Sequence, residues 1–376
     1  MKIDERLTRL AENVLHYSVG LKAGEKIYLE AFSASTKDLL NEMVRIATQM
    51  GATPFYFYND NSFVKNLLVN ANAAQIEQYA RWQASLMDEM DCYVAVRGYD
   101  DLFAMADVPP EKMKIYNEIY YNMVHFDRRI PKTRWCVMRY PNDTMAAVSK
   151  MSRESLEDFF FDACLVDYRQ MGEAMKPLKQ LMDKTSKVRI KGPNTDLSFS
   201  IEGLKAIACD GKMNIPDGEV YTAPVKDSIN GHIQFNTDTL YGGTFYSNLY
   251  LEFENGRIVK AESRANNDKL QQLLDIDQGS RYMGEFAIGV NPYVRKEMLD
   301  ILFDEKIASS LHMAIGNSYS DETFNGNRSS IHWDLVLIQD AAHGGGEIWF
   351  DDVLIRKDGI FVLPELTKLN PENLKA

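Results

Sequence analysis

Five short segments in the C-terminal half of the chain concentrate side chains able to hold a cation. They are NIPDGEVYTAP around Glu219, GEFAIG around Glu285, DEKIASSLHMAIGNSY with Glu305, His312 and Tyr319, IHWD with His332 and Asp334, and HGGGEIWFDD after His343. IHWD opens the run IHWDLVLI, which reads as a buried strand. Residues two apart on a strand point to one face, so His332 and Asp334 project together while Trp333 faces away. An imidazole and a carboxylate on one face can ligate a borderline cation such as zinc. An isolated H-x-D is more often a hydrogen-bonded His–Asp pair inside a core.

The remaining signals are each open to a second reading. His312 lies among apolar residues, where a lone histidine is more often a satisfied core residue. Glu219 follows a Pro-Asp-Gly turn and, taken alone, reads as an exposed turn residue. Glu285 says more, because a carboxylate inside an apolar, glycine-bounded segment needs a partner, either an arginine or a metal. Glu305 and Asp304 end the helix-like stretch KEMLDILFDE, where acidic residues oppose the macrodipole and hint at another role. Tyr319 either donates a hydrogen bond to a developing oxyanion or fills the core. His343 reads as a loop residue, and His16, His125 and His232 as structural. Neither HExxH nor GxSxG occurs. The residues themselves point to a carboxylate-rich, histidine-containing metal site in the C-terminal half, and no further.

Two textures of chain must position these groups. In the first half, strand-like runs (KIYLEAF, PFYFYND, CYVAVRG, TRWCVMRYP) alternate with helical spacing over residues 35–50, 71–90 and 110–129. That rhythm predicts an α/β N-terminal domain with a mostly parallel sheet. No GxGxxG or GxxxxGK[ST] follows the first strand, which argues against dinucleotide or nucleotide binding. Residues 151–181 read as strongly helical, with Ser152 as N-cap. From about Lys187 short alternating strands take over, predicting an α+β C-terminal domain. The expected division is 1–185 for the α/β domain and 186–376 for the metal-binding domain.

With 376 residues, 45% of them hydrophobic and 26% charged, the composition is that of a globular protein with room for two domains. Its net charge of −12 and lack of a Lys/Arg cluster argue against a nucleic-acid partner. Cys92, Cys136, Cys164 and Cys209 form no CxxC pair and read as free thiols, consistent with a reducing compartment. The N-terminal stretch is charged throughout, unlike a signal peptide, and no apolar run is long enough for a membrane span. A cytoplasmic location without membrane partners is therefore expected.

At the five segments the sequence resembles the thermophilic-type metallo-aminopeptidase family, the aminopeptidase T, aminopeptidase S and leucyl aminopeptidase-like group. The resemblance extends over nearly the whole chain, through GEKIYLEAF, MGATPFYFYND, MAAVSKMSRESLEDFFFDACLVDY and GPNTDLSFSIEG. It implies metal ligands at Glu219 in PDGEV, Glu285 in GE-x-x-IG, His312 in H-x-A-x-G-x-x-Y, and His332 and Asp334 in H-x-D. It further implies two divalent metal ions per chain (Zn, Co or Mn) with Glu285 bridging them. Tyr319 would bind the oxyanion, and Glu305 would serve as general base, although its spacing to the histidine differs between members. The implied activity is removal of N-terminal residues from peptide substrates by a metal-activated water, in a homodimer.

Two rivals stand beside this expectation. Ring-cleaving non-haem iron dioxygenases are similar in fold, and His312, His332 and Asp334 could form a facial triad for Fe(II). Glu219 and Glu285 discriminate, since a mononuclear iron site has no need of two further carboxylates. A non-catalytic metal-binding relative is the other rival, and the complete ligand set speaks against it.

Overall fold

Apolar runs buried along nearly their whole length mark strands covered on both faces, and two runs of the N-terminal half have this pattern: β1 (Lys26–Phe32) and β3 (Cys92–Arg97). With β2 (Thr53–Asn59) and β4 (Arg134–Arg139) they form a parallel sheet in the order β2-β1-β3-β4, extended by the short strand Asn214–Ile215. This is the expected βαβαβ arrangement. The computed structural model describes residues 4–98, 100–101, 104–105, 107–319 and 322–375. The expected helices lie at Lys37–Gln49, Ala73–Met87 and Pro110–Tyr116, the last continuing through Asn117–Arg129. One helix was not anticipated, Asn61–Asn70, which starts where the Asp60 carboxylate accepts from the Ser62 amide.

The helix expected over residues 151–181 is two helices. The first, Arg153–Cys164, begins at Ser152, whose hydroxyl accepts from the Ser155 amide. The second, Tyr168–Met182, begins at Asp167, which accepts from the amides of Arg169 and Gln170. An extended, side-chain-capped residue at 167 restarts the helix, and the chain divides at this break. One compact unit comprises Met1–Leu165 and Gly211–Ile215, the other Val166–Asp210 and Pro216–Ala376. The division thus falls at Leu165 rather than near residue 185. The second helix buries Tyr168, Met171, Met175 and Leu178 against elements of the second unit, among them the strands Ile207–Cys209 and Glu219–Thr222.

The second unit contains two larger antiparallel sheets. One has eight strands and includes Lys187–Gly192, Thr195–Ser200, Asn230–Gln234, Tyr250–Glu254 and Arg257–Glu262. The other has five, β5 (Ile207–Cys209), β6 (Glu219–Thr222), β7 (Met283–Gly289), β8 (Ser310–Gly316) and β9 (His332–Ile338), in the order β9-β8-β7-β6-β5. An α/β first unit and a strand-rich second unit match the expected fold class. All four cysteines are free; Cys209 is half-buried and the others are buried. Among the described residues no helix is long and apolar enough to cross a membrane.

Candidate metal centre

The sequences EFAIG, HMAIG and HWDLV alternate a polar or small residue with a large apolar one, and strand geometry sorts the two sets onto opposite faces. Residues directly opposite across an antiparallel pair share a face. Glu219 lies opposite Gly289, Ala287 opposite His312, and Glu285 opposite Ala314. Asp334 also lies opposite Ala314, and His332 opposite Gly316. Glu219, Glu285, His312, His332 and Asp334 therefore project from one face of the sheet, and the positions between them are Ala287, Gly289, Ala314 and Gly316. Small residues there leave the face open for a group held by the longer ones. The other face carries Phe286, Ile288, Met313, Ile315, Trp333 and Leu335, all buried. Trp333 turns away as expected, and its ring packs on Tyr241 and Tyr246.

Two glycines shape this face. The pairing of β7 with β8 shifts register between Met283 and Glu285, a bulge that re-aims the carboxylate relative to the strand before it. At Gly284 an added Cβ would lie 2.2 Å from the Asn317 carbonyl oxygen, so the bulge admits no side chain. Gly289 lies on the polar face, where a Cβ would meet the carbonyl oxygens of Ile307 at 2.5 Å and Glu305 at 2.9 Å. Its bareness lets the segment carrying Glu305 lie across the sheet. That segment follows a short helix, Ile301–Asp304, and not the longer one that KEMLDILFDE suggests. Leu299 adopts a positive φ of 57°, outside the helical region.

The side chains converge tightly. His312 Nε2 is 3.2 Å from Glu219 Oε2 and 3.3 Å from Glu285 Oε1. His332 Nε2 is 3.4 Å from Glu285 Oε2 and 3.5 Å from Asp334 Oδ1. Glu219, Glu285, His312 and Asp334 are buried, so Glu219 is not the exposed turn residue that PDGEV alone suggests. His332 Nδ1 lies 2.8 Å from the Asn317 carbonyl. That oxygen can only accept, so Nδ1 carries a proton and Nε2 is the ring nitrogen turned to the cluster. Tyr319 packs its ring against Tyr221 and His332 and brings its hydroxyl to 3.4 Å from His332 Nε2.

Donor atoms within 4.8 Å of one another form the groups Glu219–Glu285–His312, Glu285–His332–Asp334 and Glu305–His312–Asp334. Every residue expected at the site is thus brought there, Glu305 included. Two buried oxygens, Glu219 Oε2 and Glu285 Oε2, lie close to an imidazole but out of line for a hydrogen bond, and no described residue satisfies them. Buried carboxylate oxygens in that condition are costly unless a cation takes them up. Oxygen and imidazole donors without a thiolate at their centre fit a divalent cation.

The electrostatics point the same way. Burial works against protonating His312, but Glu219 and Glu285 lift its pKa to about 9. Burial likewise opposes charge on His332, and Asp334 foremost raises it well above the ordinary imidazole range. Burial would raise Asp334, yet His332 brings it down to about 2. Glu305 moves the other way, lifted to about 8 chiefly by burial, with Lys306 opposing. The field of this face draws positive charge inward.

Three residues near the centre escaped the sequence reading. Lys306 is fully buried, with Nζ 2.6 Å from Glu219, 2.7 Å from Glu305 and 3.4 Å from Asp217. Asp217 and Cys209 group with Glu219 at ligand-like spacing. Burial raises the Cys209 thiol well above its usual range. Nothing local marks Lys306, since a lysine directly after an acidic pair reads as a solvated surface group. Of the remaining histidines, His343 pairs with Asp340 at 2.7 Å and His125 lies among Tyr93, Tyr120 and Tyr121.

Residues 3–357 match the thermophilic metalloprotease family (M29). Aminopeptidase AmpS of Bacillus subtilis (strain 168) is 37% identical over 363 residues, covering 87% of either chain. Aminopeptidase T of Thermus aquaticus is 24% identical over 385 residues, covering 89% of this chain and 92% of that one. Among solved structures, wild-type AmpT from Thermus thermophilus superposes with a TM-score of 0.81 at 22% identity, covering 96% of this chain and 99% of that one. The 2,5-dihydroxypyridine dioxygenase of Pseudomonas putida KT2440 superposes with a TM-score of 0.62 at 13% identity, covering 98% of this chain and 100% of that one. These two likenesses are of fold.

Proposed function

This chain belongs to the thermophilic metalloprotease family (M29) and is a metallo-aminopeptidase, and on that premise we propose that it removes N-terminal residues from peptides with two divalent cations held on one face of the β5–β9 sheet. The observation carrying this reading is that Glu285 turns its two oxygens to different donor groups, Oε1 lying 3.3 Å from His312 Nε2 and Oε2 3.4 Å from His332 Nε2. One carboxylate reaching two groups is what a bridging ligand requires. Charge supports cation binding. Glu219, Glu285, Glu305 and Asp334 converge on this face, and Lys306 pairs with two of them, Glu219 and Glu305.

When bound, the cations supply Lewis acidity, making water a nucleophile near neutral pH and polarising the scissile carbonyl. The chain's own residues do the rest. Glu305, half-buried beside His312 and Asp334, takes the proton from the attacking water. A carboxylate so placed can both accept a proton and return it. The Tyr319 hydroxyl, beside His332, donates a hydrogen bond to the oxygen on which charge develops. The Asn317 carbonyl holds the His332 ring in register through Nδ1. The oxygen and imidazole donor set suits Zn, Co or Mn. A homodimer in the cytoplasm completes the reading, supported by the family resemblance and by four cysteines that are all free.

The deciding experiment is metal-reconstituted hydrolysis of aminoacyl-p-nitroanilides, run with metal analysis, for the wild type and Glu285→Ala. Two cations per chain, with chelator-sensitive release abolished in the variant, are expected. One iron per chain and no release would instead favour the dioxygenase chemistry of the more distant neighbour.

A further inference from the structure

We propose that Lys306 is a positioning residue that clamps Glu219 and Glu305 together, so that one ammonium orients a metal ligand and the general base; this rests on the two-cation reading above. Lys306 is fully buried, and its Nζ lies within 3.4 Å of three carboxylates. An ammonium has three N–H donors and no acceptor. Nζ donates to Glu219 Oε1 and forms ion pairs with Glu305 Oε1 and Asp217 Oδ1, so carboxylates of the chain itself engage it. Its work lies in what it does to its partners.

Each clamped carboxylate has two oxygens, and Lys306 takes one. At Glu219 it holds Oε1, while Oε2 is the buried, unsatisfied oxygen turned towards His312. At Glu305 it holds Oε1, and the same carboxyl group lies within ligand distance of His312 and Asp334. The ammonium therefore selects which oxygen of Glu219 faces the cluster and fixes the plane of both carboxylates. A lone buried ion pair is a poor source of stability, because the cost of desolvating the charges offsets their attraction. Fixing geometry is what such a group does well. The backbone is tied to the same end: the Asn291 amide donates to the Lys306 carbonyl, and the Asn291 side chain donates to the Asp217 carbonyl.

The clamp also occupies a third place for a cation. Cys209, Asp217 and Glu219 come within 4.8 Å of one another, and the ammonium is 3.4 Å from Asp217 and 2.6 Å from Glu219. A covalently attached cation in that corner leaves Glu219 oriented towards His312 instead of towards a competing metal.

The test compares wild type, Lys306→Met, Lys306→Arg and the double variant Lys306→Met/Asp217→Asn. The readouts are equilibrium dialysis against Zn2+ or Co2+ with metal analysis, together with kcat and KM on an aminoacyl-p-nitroanilide. Removing groups that orient metal ligands typically costs about 10–100-fold in affinity. Lys306→Met is expected to lose that much for one of two cations, with kcat falling and KM little changed, and Lys306→Arg to recover part of both. The double variant guards against misfolding, since it removes one charge of each sign and leaves Glu219 and Glu305 unclamped. Wild-type affinity for both cations and wild-type kcat in either folded methionine variant would overturn the proposal. So would failure of both to fold in excess metal, which would make Lys306 a stability residue. A wild type that binds fewer than two cations would overturn the two-cation reading itself.

Discussion

Cation binding should be visible as stability, and in steps that follow how the ligands are shared. A group that binds only the folded state stabilises it by RT ln(1 + [L]/Kd), about 2.7 kcal/mol at one hundred times Kd. Two cations at that level give about 5.4 kcal/mol. The second unit spans Val166–Asp210 and Pro216–Ala376, for which 1 kcal/mol moves Tm by roughly 2–4 °C. Saturating the chelator-stripped protein should therefore raise its Tm by roughly 10–20 °C. Glu285 lies in two donor groups and Glu219 in one of the pair that Glu285 joins. Glu219→Gln should keep one cation and about half of the shift; Glu285→Gln should lose nearly all of it. Differential scanning fluorimetry against Zn2+, Co2+ and Mn2+, with stoichiometry by metal analysis, reads both quantities. Equal shifts in the two variants would refute the bridging role of Glu285. No shift in the wild type at any of these metals would refute the metal centre.

Three further outcomes follow from particular residues. Burial, reinforced by Arg129 and Arg97, lowers the His125 pKa from 6.5 to about 3. The unfolded chain then takes up a proton that the folded chain refuses, so stability present above pH 6.5 drains as pH falls towards 3. The loss is roughly 3 kcal/mol at pH 4.5 relative to neutral pH. Denaturant curves of wild type and His125→Gln should diverge by that amount, and curves parallel in pH would refute the assignment. At Gly218, with φ +126°, a Cβ would lie 2.9 Å from Met171 Sδ and 3.1 Å from Asn291 Cβ. Gly218→Ala should cost roughly 1–3 kcal/mol by urea denaturation and lower kcat by shifting Glu219; unchanged stability and kcat would count against a rigid turn. Tyr319→Phe should lower kcat at least about tenfold with KM nearly unchanged if the hydroxyl binds the oxyanion, and a wild-type kcat would remove it from the chemistry.

Much of this was legible along the chain because strand chemistry is short-ranged. The polar-or-small and large-apolar alternation of EFAIG, HMAIG and HWDLV already divides each strand into a reactive side and a core side. His332 with Asp334 follows from period two alone. Resemblance to family segments supplied Glu219, Glu285, His312, Tyr319 and Glu305, and the structure gathers all of them within one cluster. The helix break at Asp167 was less legible, because the residues on both sides favour helix and only the cap at Asp167 separates them.

Local pattern determined which residues could face together on each strand, and the tertiary structure decided that the faces coincide. The register of β6 to β9 brings Glu219 opposite Gly289 and Asp334 opposite Ala314, pairings between residues far apart in sequence that no local pattern specifies. The bulge at Gly284 re-aims Glu285, and the bare Gly289 admits the segment bearing Glu305. Lys306 gains its place only there. A lysine beside two acids reads as a solvated surface group until the fold surrounds it with carboxylates from β6 and the turn before it. The physical reason is range: side-chain alternation and caps are decided within a few residues, while strand register, close backbone approach and the burial of a charge depend on every segment packed around them.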